Sequence, residues 1–299
     1  MLQQFNEKNR DLLVNINGQL IHRDQAGISP FDSVVQGGDA VWEGLRVYDG
    51  RIFTLYEHLD RLRSSALALA FHAIPSRDEI VEQIRRTLAA NHMRDGVHIR
   101  LTLTRGVKIT SGMDPRLNTA GPTLIVLAEH KPPVYDKSGL RLITSTIRRP
   151  GADVLDAKIH HNNLINSILA KIQATVAGVD DALMLDGRGF VAETNATHVF
   201  AVTRGVVATP RCVACPEGIT RSVVLRLCRE HNLPQAERDL SLTEFYRADE
   251  MFCTGTMGEL APVIELDGRP IANGKPGPVT AQLSNWFTEL TAREGVAVV

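Results

Sequence analysis

The stretch "LDAKIHHNNLINSILAKIQA", residues 155–174, places a lysine, Lys158, two residues before a pair of histidines, which two asparagines and a long apolar-periodic run follow. The apolar residues recur at helical spacing, so the run predicts a helix near residues 160–177. A lysine at the edge of a helix is usually a solvated surface residue. Whether Lys158 has a chemical role therefore depends on what the rest of the chain can place beside it.

The composition limits the classes of protein to consider. The chain has 299 residues, of which 43% are apolar and 22% charged, as expected for a globular protein with one or two domains. A formal net charge of −1 gives no electrostatic reason to bind nucleic acid or an anionic membrane. No apolar run is long enough to span a bilayer, and the first residues lack the pattern of a secretion signal. We therefore expect a cytoplasmic protein without nucleic-acid or membrane partners.

Two features suggest a metal site only at first sight. Cys212 and Cys215 form a C-x-x-C pair, but the chain has no second pair of ligands at a suitable spacing. His160 and His161 are adjacent, and neighbours on a helix point about 100° apart, whereas ligands on one face lie three or four residues apart. We predict no metal.

The chain divides at a proline-rich segment. Pro132-Pro133 cannot lie inside a helix or a central strand, and this marks residues 131–137 as an interdomain linker. Residues 1–130 are expected to form a small α+β domain, and residues 138–299 a larger domain. In the first domain, Asp49-Gly50 predicts a hairpin, and Ser76 with Glu79 predicts a capping box at the start of a helix.

Three further features could lie in one cleft with Lys158. Glu193 ends a strand-like segment, the string "GITR" (residues 218–221) opens a helix, and "GTMG" (residues 255–258) forms a glycine-rich turn. Together they meet the needs of pyridoxal 5′-phosphate (PLP). Helix N–H groups and a glycine turn bind its phosphate, and a carboxylate holds its pyridine nitrogen protonated. A lysine, whose neutral form burial favours, binds its aldehyde.

The order and wording of these segments resemble the class IV aminotransferases, PLP enzymes of fold type IV. The strings that carry the resemblance span residues 41–263: "VWEGLRVYDG", "EHLDRL", "AKIHHNNLINSILAKIQA", "DALMLDGRGFVAETNATHVF", "GITR" and "GTMGELAPV". The resemblance implies an α+β protein of fold type IV, with a small α/β N-terminal domain and a larger C-terminal pseudo-barrel α/β domain. It also implies a homodimer or higher homo-oligomer.

Residue by residue, the resemblance makes Lys158 the Schiff-base lysine and Glu193 the partner of the pyridine nitrogen. It places Arg61 on the phosphate, and the other cofactor contacts that it implies are Ile219, Thr220, Thr256 and Asn163. The substrate-binding residues that it implies are Arg100, Trp42, Met257 and Arg105.

The chain departs from the family's pattern at some of these positions. Asn163 stands where many branched-chain enzymes have a tyrosine that touches the cofactor's phenolic oxygen, and Trp42 replaces the usual phenylalanine of "VFEG". Glu217 stands where proline is common before the phosphate-binding glycine, and we expect its carboxylate to point away from the phosphate. Arg100 and Arg105 have opposite parity, so on a regular strand they face opposite sides, and only one is expected in the substrate pocket.

The predicted reaction is a ping-pong amino transfer through a Schiff base. The donor is predicted to be a hydrophobic, branched-chain-like L-amino acid, and the acceptor 2-oxoglutarate. The mixed motifs leave three alternatives open. The chain could be a D-amino-acid or (R)-amine aminotransferase, an aminodeoxychorismate lyase, or a PLP-fold binding protein without catalysis. The sequence leaves open the identity and stereochemistry of the donor, the roles of Asn163 and the two histidines, and the oligomer size beyond a dimer.

Overall fold

The computed structural model describes residues 3–299. The chain forms two compact units. The C-terminal unit contains residues 133–158 and 164–290, and the N-terminal unit contains residues 3–132, 159–163 and 291–299. Within the described part of the chain, no helix combines the length and the apolar character needed to cross a bilayer.

The strands are β1 Leu13–Ile16, β2 Gln19–His22, β3 Ala40–Tyr48, β4 Arg51–Ile52, β5 Val97–Thr104, β6 Thr123–His130, β7 Leu140–Thr144, β8 Asp181–Leu185, β9 Val191–Thr194, β10 His198–Thr203, β11 Val206–Thr209, β12 Gln235–Glu237, β13 Glu250–Gly255, β14 Glu259–Leu266, β15 Arg269–Pro270 and β16 Val296–Ala297. The helices are α1 Ser33–Gly37, α2 Leu55–Ala68, α3 Arg77–Ala90, α4 Ile165–Val176, α5 Ile219–Glu230, α6 Leu242–Tyr246 and α7 Pro278–Arg293. Short 3₁₀ turns cover Glu7–Asn9 and Pro115–Leu117.

The N-terminal unit is built on an antiparallel sheet with the strand order β16-β4-β3-β5-β6-β1-β2. The predicted hairpin joins β3 to β4, where Asp49 (φ 42°) and Gly50 (φ 76°) take the left-handed conformation that suits the twist of the strands. The predicted capping box at Ser76 and Glu79 starts α3. Apolar residues of α2 and α3 pack with those of β3, β5 and β6 into one buried core.

Strand β5 alternates apolar and polar residues, a pattern that predicts burial of one face only. Ile99, Leu101 and Leu103 are fully buried as the pattern predicts, but Thr102 (7% exposed) and Thr104 (0% exposed) on the opposite face are buried as well. The hydroxyl of Thr104 donates to the carboxylate of Asp32, whose own burial gives this polar face a hydrogen-bonding partner.

The C-terminal unit contains a mixed sheet with the order β12-β11-β10-β13-β14-β7-β8-β9, and β15 pairs with β14. A tight turn follows β9, in which the N–H of Thr194 donates to the carbonyl of Thr197 (2.8 Å), and β10 begins at the next residue. Helix α4 packs against the sheet through Ala170 and Ala174, which meet Ala182 and Met184 of β8. The two α+β units fit the predicted fold class, with a curled sheet in the larger unit.

Helix α4 begins at Ile165, five residues later than predicted. Residues 159–163 instead run beside β3, where the N–H of Trp42 donates to the carbonyl of His160 (3.0 Å) and the N–H of Asn162 donates to the carbonyl of Ala40 (2.9 Å). These backbone hydrogen bonds to a distant strand replace the bonds that a helix would make within itself.

Candidate active site

Glu193 lies at the end of β9, with only 7% of its side chain exposed. The Arg149 guanidinium, 12% exposed, lies 2.7 Å from its Oε1. Arg149 also donates to the Ala214 carbonyl (3.2 Å) and to the Ser167 hydroxyl (3.1 Å). A buried carboxylate needs a charged or hydrogen-bonding partner, and Arg149 supplies that partner and fixes the position of Glu193.

His198, the first residue of β10, connects three of the predicted features. Its Nδ1 lies 3.9 Å from Oε2 of Glu193. Its ring packs so closely on Gly218 that a Cβ built there would lie 2.2 Å from ring atoms. On β13 its register partner is Thr254, two residues before Thr256. The structure therefore gathers Glu193, the start of α5 and the end of β13 around one buried histidine.

Helix α5 begins with an open N-terminus. Gly218 is the N-cap residue and makes no side-chain capping bond, while Ile219 and Thr220 occupy the first turn. First-turn N–H groups without a side-chain cap, together with the helix dipole, favour an anion such as a phosphate. Glu217 is exposed, as expected for a carboxylate that does not face that anion.

The glycine-rich turn that holds Thr256 and Met257 follows β13 and is packed by the chain just after the two prolines. The Val134 N–H donates to the Met257 carbonyl (3.0 Å), and a Cβ at Gly258 would lie 2.2 Å from the Tyr135 ring. The Tyr135 hydroxyl donates to Asp181. Burial, and then the Asp181 carboxylate, raise the pKa of Tyr135 well above its usual value, so this phenol stays protonated and keeps its hydrogen bond.

Lys158 is exposed to solvent, contrary to the burial that would favour a neutral amine. Its backbone N–H donates to Oδ1 of Asp156 (3.0 Å), and this bond turns the chain immediately after the buried Ala157. Lys158 belongs to the same unit as Glu193, α5 and the glycine turn. An exposed amine is open to an aldehyde.

Arg61, in the N-terminal unit, forms part of a buried charged cluster. Its Nε and one terminal nitrogen bind the two oxygens of Glu43 at 2.8 and 2.7 Å, and the buried His58 ring lies 2.6 Å from the same carboxylate. Burial acts to raise the pKa of Glu43, but Arg61 and then His160 hold that pKa well below its usual value. Arg61 therefore has a fixed guanidinium orientation before any ligand arrives.

The Trp42 ring packs against two side chains of the same unit, those of Arg100 and His160. The Arg100 guanidinium stands 3.5 Å from the centre of the indole ring, and the His160 ring stacks 4.2 Å away. Arg100 also donates to Oδ1 of Asn162 at 2.6 Å. Burial, followed by Arg61, lowers the pKa of His160, and its Nδ1–H donates to the Trp42 carbonyl (2.6 Å).

The other two predicted residues of this unit make contacts of a more structural kind. Arg105 binds both oxygens of Asp39 at 2.6 and 3.1 Å, and it also donates to the carbonyls of Leu69 and Ala70. The Asn163 side chain donates to the carbonyl of Gly38 at 3.1 Å. The Arg105 guanidinium thus has carbonyl and carboxylate partners around its edge.

Among residues 3–299, no group of three or more histidine, cysteine, aspartate or glutamate side chains is arranged to hold a metal ion. The four cysteines are free thiols. A hydrogen bond from Cys215 lowers the pKa of the Cys212 thiol to about 7 despite the opposing effect of burial.

Arg149 and His198 were missed by the sequence analysis. Arg149 stands in "IRRP", which carries no motif, and His198 stands in a quoted string but was given no role. The one available signal for His198 is its place at the start of an apolar strand, where a buried histidine needs a polar partner.

The residues of the C-terminal unit fit PLP. They provide an uncapped helix N-terminus for a phosphate, a buried carboxylate for a ring nitrogen, and a lysine in the same unit. A Cβ added at Gly218 would collide with the His198 ring. The close approach of the start of α5 to that ring therefore depends on glycine.

Comparison with known proteins gives the same assignment. The family model "Amino-transferase class IV" matches residues 40–266. The chain is 56% identical over 292 residues to branched-chain-amino-acid aminotransferase-like protein 2 of Arabidopsis thaliana, covering 97% of this chain and 52% of that protein. It is 41% identical to a putative branched-chain-amino-acid aminotransferase of Methanocaldococcus jannaschii, covering 95% and 98%. It is 31% identical to a D-alanine aminotransferase of Listeria monocytogenes, covering 94% and 96%.

A solved structure agrees in fold. A branched-chain amino acid aminotransferase from T.th., complexed with N-(5′-phosphopyridoxyl)-L-glutamate, superposes with a TM-score of 0.88 at 32% identity, covering 95% of each chain. The chain spans about half the length of the two Arabidopsis relatives that it matches. The match along most of the chain, the fold and the grouping of Glu193, α5 and the glycine turn lead to one conclusion: the chain belongs to the class IV aminotransferases, a family of PLP-dependent enzymes of fold type IV.

Proposed function

We propose that this chain catalyses amino transfer from a hydrophobic, branched-chain-like L-amino acid to 2-oxoglutarate by a ping-pong mechanism. The observation that carries the proposal is the convergence of Glu193, the start of α5 and the end of β13 on His198 within one unit. The relatives named for branched-chain substrates, and a neighbour solved with a phosphopyridoxyl-glutamate adduct, support this choice of donor and acceptor.

PLP, when bound, supplies an electron-withdrawing ring that makes the substrate's Cα–H acidic. The first-turn N–H groups of α5, with the hydroxyls of Thr220 and Thr256, would hold its phosphate, and Arg61 would add a guanidinium. Glu193 would be the partner of the ring nitrogen, and Arg149 holds the Glu193 carboxylate in place.

Lys158 has two roles in this proposal. Its Nζ would be the amine that binds the cofactor's aldehyde, and as a free amine it would be the group that moves the proton at the substrate's Cα. We propose that the bound cofactor and a second subunit would enclose this side chain.

Of the two candidate arginines, Arg100 is the better ligand for the substrate carboxylate. Its guanidinium is stacked on Trp42 and oriented by Asn162, whereas that of Arg105 is already used by Asp39 and two backbone carbonyls. Burial lowers the pKa of Arg100 to about 10. The guanidinium therefore stays charged near neutral pH, and its positive charge can pair with a substrate carboxylate. Trp42 and Met257 are the proposed apolar contacts of the substrate side chain, and Asn163 the proposed donor to the cofactor's phenolic oxygen.

The second candidate is a D-amino-acid aminotransferase, because relatives with that activity in their names match the chain at 31–32% identity. We propose a cytoplasmic homodimer or higher homo-oligomer for either activity.

Half-reactions of the PLP-loaded protein separate the candidates. L-leucine, D-alanine and (R)-1-phenylethylamine are mixed with it in parallel, and the conversion of the cofactor is followed by its absorbance. The proposal expects rapid conversion with L-leucine and recovery on addition of 2-oxoglutarate. Conversion with D-alanine alone would establish the second candidate, and no conversion with any amine donor would overturn both.

A further inference from the structure

Strands β3 and β5 of the N-terminal sheet turn basic side chains to the face that lies away from the buried core. On this face Arg46 is the register partner of His98, and Gly44 is the register partner of Arg100. Because side chains alternate along a strand, His98 and Arg100 lie on the same side, roughly 7 Å apart. Several basic groups therefore meet at one place on the sheet.

His98 is buried without a hydrogen-bonding partner. Only 7% of the residue is exposed, and among the described residues neither of its ring nitrogens has a donor or acceptor within reach. Glu129, its register partner on β6, makes no hydrogen bond to the ring. A buried polar group normally has such a partner, because leaving the group unpaired costs free energy. The ring therefore has two nitrogens that a ligand can use.

Three cations lie around this ring. Burial, followed by Lys131, Arg100 and Arg46, lowers the pKa of His98 to about 3. The imidazole is thus neutral near pH 7, and a neutral imidazole has one N–H donor and one acceptor nitrogen. Arg46, which is 5% exposed, donates to the carbonyl of Lys131 at 3.3 Å, while its Nε has no partner in the described part of the chain. The cluster combines positive charge with unused donors, and this combination favours an anionic ligand.

Gly44 forms the floor of a recess between His98 and Trp42. A Cβ added to Gly44 would lie 3.4 Å from Nε2 of His98 and 3.6 Å from the Trp42 indole. The Arg100 guanidinium stands over the same indole, 3.5 Å from the ring centre. Nε2 of His98 and the Arg100 guanidinium therefore border one space, which Gly44 has no side chain to fill. We call the group of Trp42, Gly44, His98 and Arg100 the Gly44 recess.

We propose that His98 is a further substrate-binding residue, which selects a dicarboxylic acceptor by binding its second carboxylate in the Gly44 recess. Arg100 holds the first carboxylate, and the ring N–H of His98 donates to the second, with the charge of Arg46 beside it. The roughly 7 Å between neighbours on one face of a strand suits two carboxylates that three carbons separate, as in 2-oxoglutarate. The inference rests on the proposed function, whose acceptor it explains.

A substrate with a single carboxylate matches this site less well. Arg46, Arg100 and Lys131 bring three positive charges close to His98, and one carboxylate would compensate fewer of them than two. Trp42 adds an apolar wall, which suits the carbon chain between the carboxylates. The charges therefore favour a dicarboxylic acid as the occupant.

The test measures the binding of two acids of equal length to the PLP-loaded 299-residue protein by isothermal titration calorimetry. Glutarate has the two carboxylates of the acceptor, whereas pentanoate has the same carbon chain with one carboxylate. A charge-assisted hydrogen bond should make the wild type bind glutarate at least about 10-fold more tightly than pentanoate. This ratio of affinities is the quantity that the variants should change.

His98→Phe keeps a ring but removes both nitrogens, so it should lower the ratio about 10-fold. His98→Gln keeps an N–H donor and should restore most of the ratio, which a purely structural role of the ring would not explain. The matched control is His72→Phe, a change at an exposed histidine of the same unit, and it should keep the wild-type ratio. Far-UV circular dichroism confirms that each variant is folded.

A further variant keeps the test decisive if His98→Phe does not fold. Gly44→Ala places a methyl group at ordinary contact distances from His98 and Trp42, so the fold should tolerate it while the recess becomes shallower. It should also lower the ratio about 10-fold. Gly27→Ala is its control, because a Cβ at Gly27 would meet nothing within 4 Å.

Equal affinities of the wild type for glutarate and pentanoate would overturn the proposal. An unchanged ratio in a folded His98→Phe variant or in Gly44→Ala would also overturn it. The titrations contain no amine donor, so their result is independent of the half-reactions that test the proposed function. A protein that converts L-leucine but does not prefer glutarate refutes only this inference, and the reverse result refutes only the proposed donor.

Discussion

The Arg149 guanidinium lies 2.7 Å from Oε1 of Glu193, and both side chains are almost enclosed by the protein. Removing one partner of a buried ion pair leaves the other charge in a medium that solvates it poorly. Arg149→Leu is therefore expected to lower the free energy of unfolding by about 3 kcal/mol and to lower turnover, because Glu193 loses its fixed position. Urea unfolding measures the first effect and steady-state kinetics the second.

The control for this prediction is Arg188→Leu. Arg188 also pairs with carboxylates, those of Asp186 and Asp239, but half of its side chain is exposed to water, which screens the charges. A loss of stability in Arg188→Leu as large as that in Arg149→Leu would contradict the role given to the buried pair.

Gly218→Ala tests the close contact at the start of α5. The added Cβ would lie 2.2 Å from the His198 ring, so the ring or the helix end must move. Overpacking of this kind is expected to cost about 2 kcal/mol of stability, and displacement of the first turn should weaken PLP binding about 10-fold. Gly187→Ala is the control, because a Cβ there would meet nothing within 4 Å. Equal PLP affinity of the two variants, measured by fluorescence titration, would argue against a phosphate at this helix end.

Arg100 and Arg105 are expected to fail in different ways. Arg100→Ala should raise the KM for 2-oxoglutarate at least 10-fold, because a charged ligand of the substrate is lost. Arg105→Ala should lower the free energy of unfolding by about 2 kcal/mol, because Asp39 and two carbonyls lose their donors, and should leave KM unchanged. Kinetics and thermal unfolding of both variants test this assignment. A raised KM in Arg105→Ala, together with a loss of stability only in Arg100→Ala, would exchange the two roles.

Cys212 is expected to react with alkylating agents at lower pH than an ordinary thiol. The hydrogen bond from Cys215 stabilises the thiolate and lowers the pKa of Cys212 to about 7, so the reactive form increases as pH rises through 7. Burial raises the pKa of Cys228 to about 11 and that of Cys253 to about 12, so these thiols should stay unreactive. Iodoacetamide labelling between pH 5 and 9, read by mass spectrometry, gives the midpoint. In Cys215→Ala the midpoint should move upward, and an unshifted midpoint would assign the effect to another group.

Local signals in the sequence predicted local structure well. Asp49-Gly50 and the Ser76–Glu79 capping box depend only on neighbouring residues, and both are present. The predicted start of α4 was wrong because residues 160–162 bond to β3, more than 100 positions away in the chain. No pattern near Lys158 could indicate that pairing.

The candidate site divides in the same way. Glu193, Gly218 and Thr256 stand in strings that resemble the family, so the sequence could name them. The roles of Arg149 and His198 depend on their distances to Glu193 and on their burial. Both properties arise only when separate segments of the chain are brought together. The exposure of Lys158 is a property of the folded chain, and the sequence argument that burial favours its neutral form did not predict it.

The central claim is that Lys158 holds the cofactor. The most direct test is to load the protein with PLP, reduce it with borohydride, digest it and locate the pyridoxyl group by mass spectrometry. Lys158→Ala and Lys275→Ala, a change at an exposed lysine of the same unit, are treated in parallel. We predict a single pyridoxyl group on Lys158 in the wild type and in Lys275→Ala, and none in Lys158→Ala. A pyridoxyl group on any other lysine of the wild type, or none at all, would contradict the account.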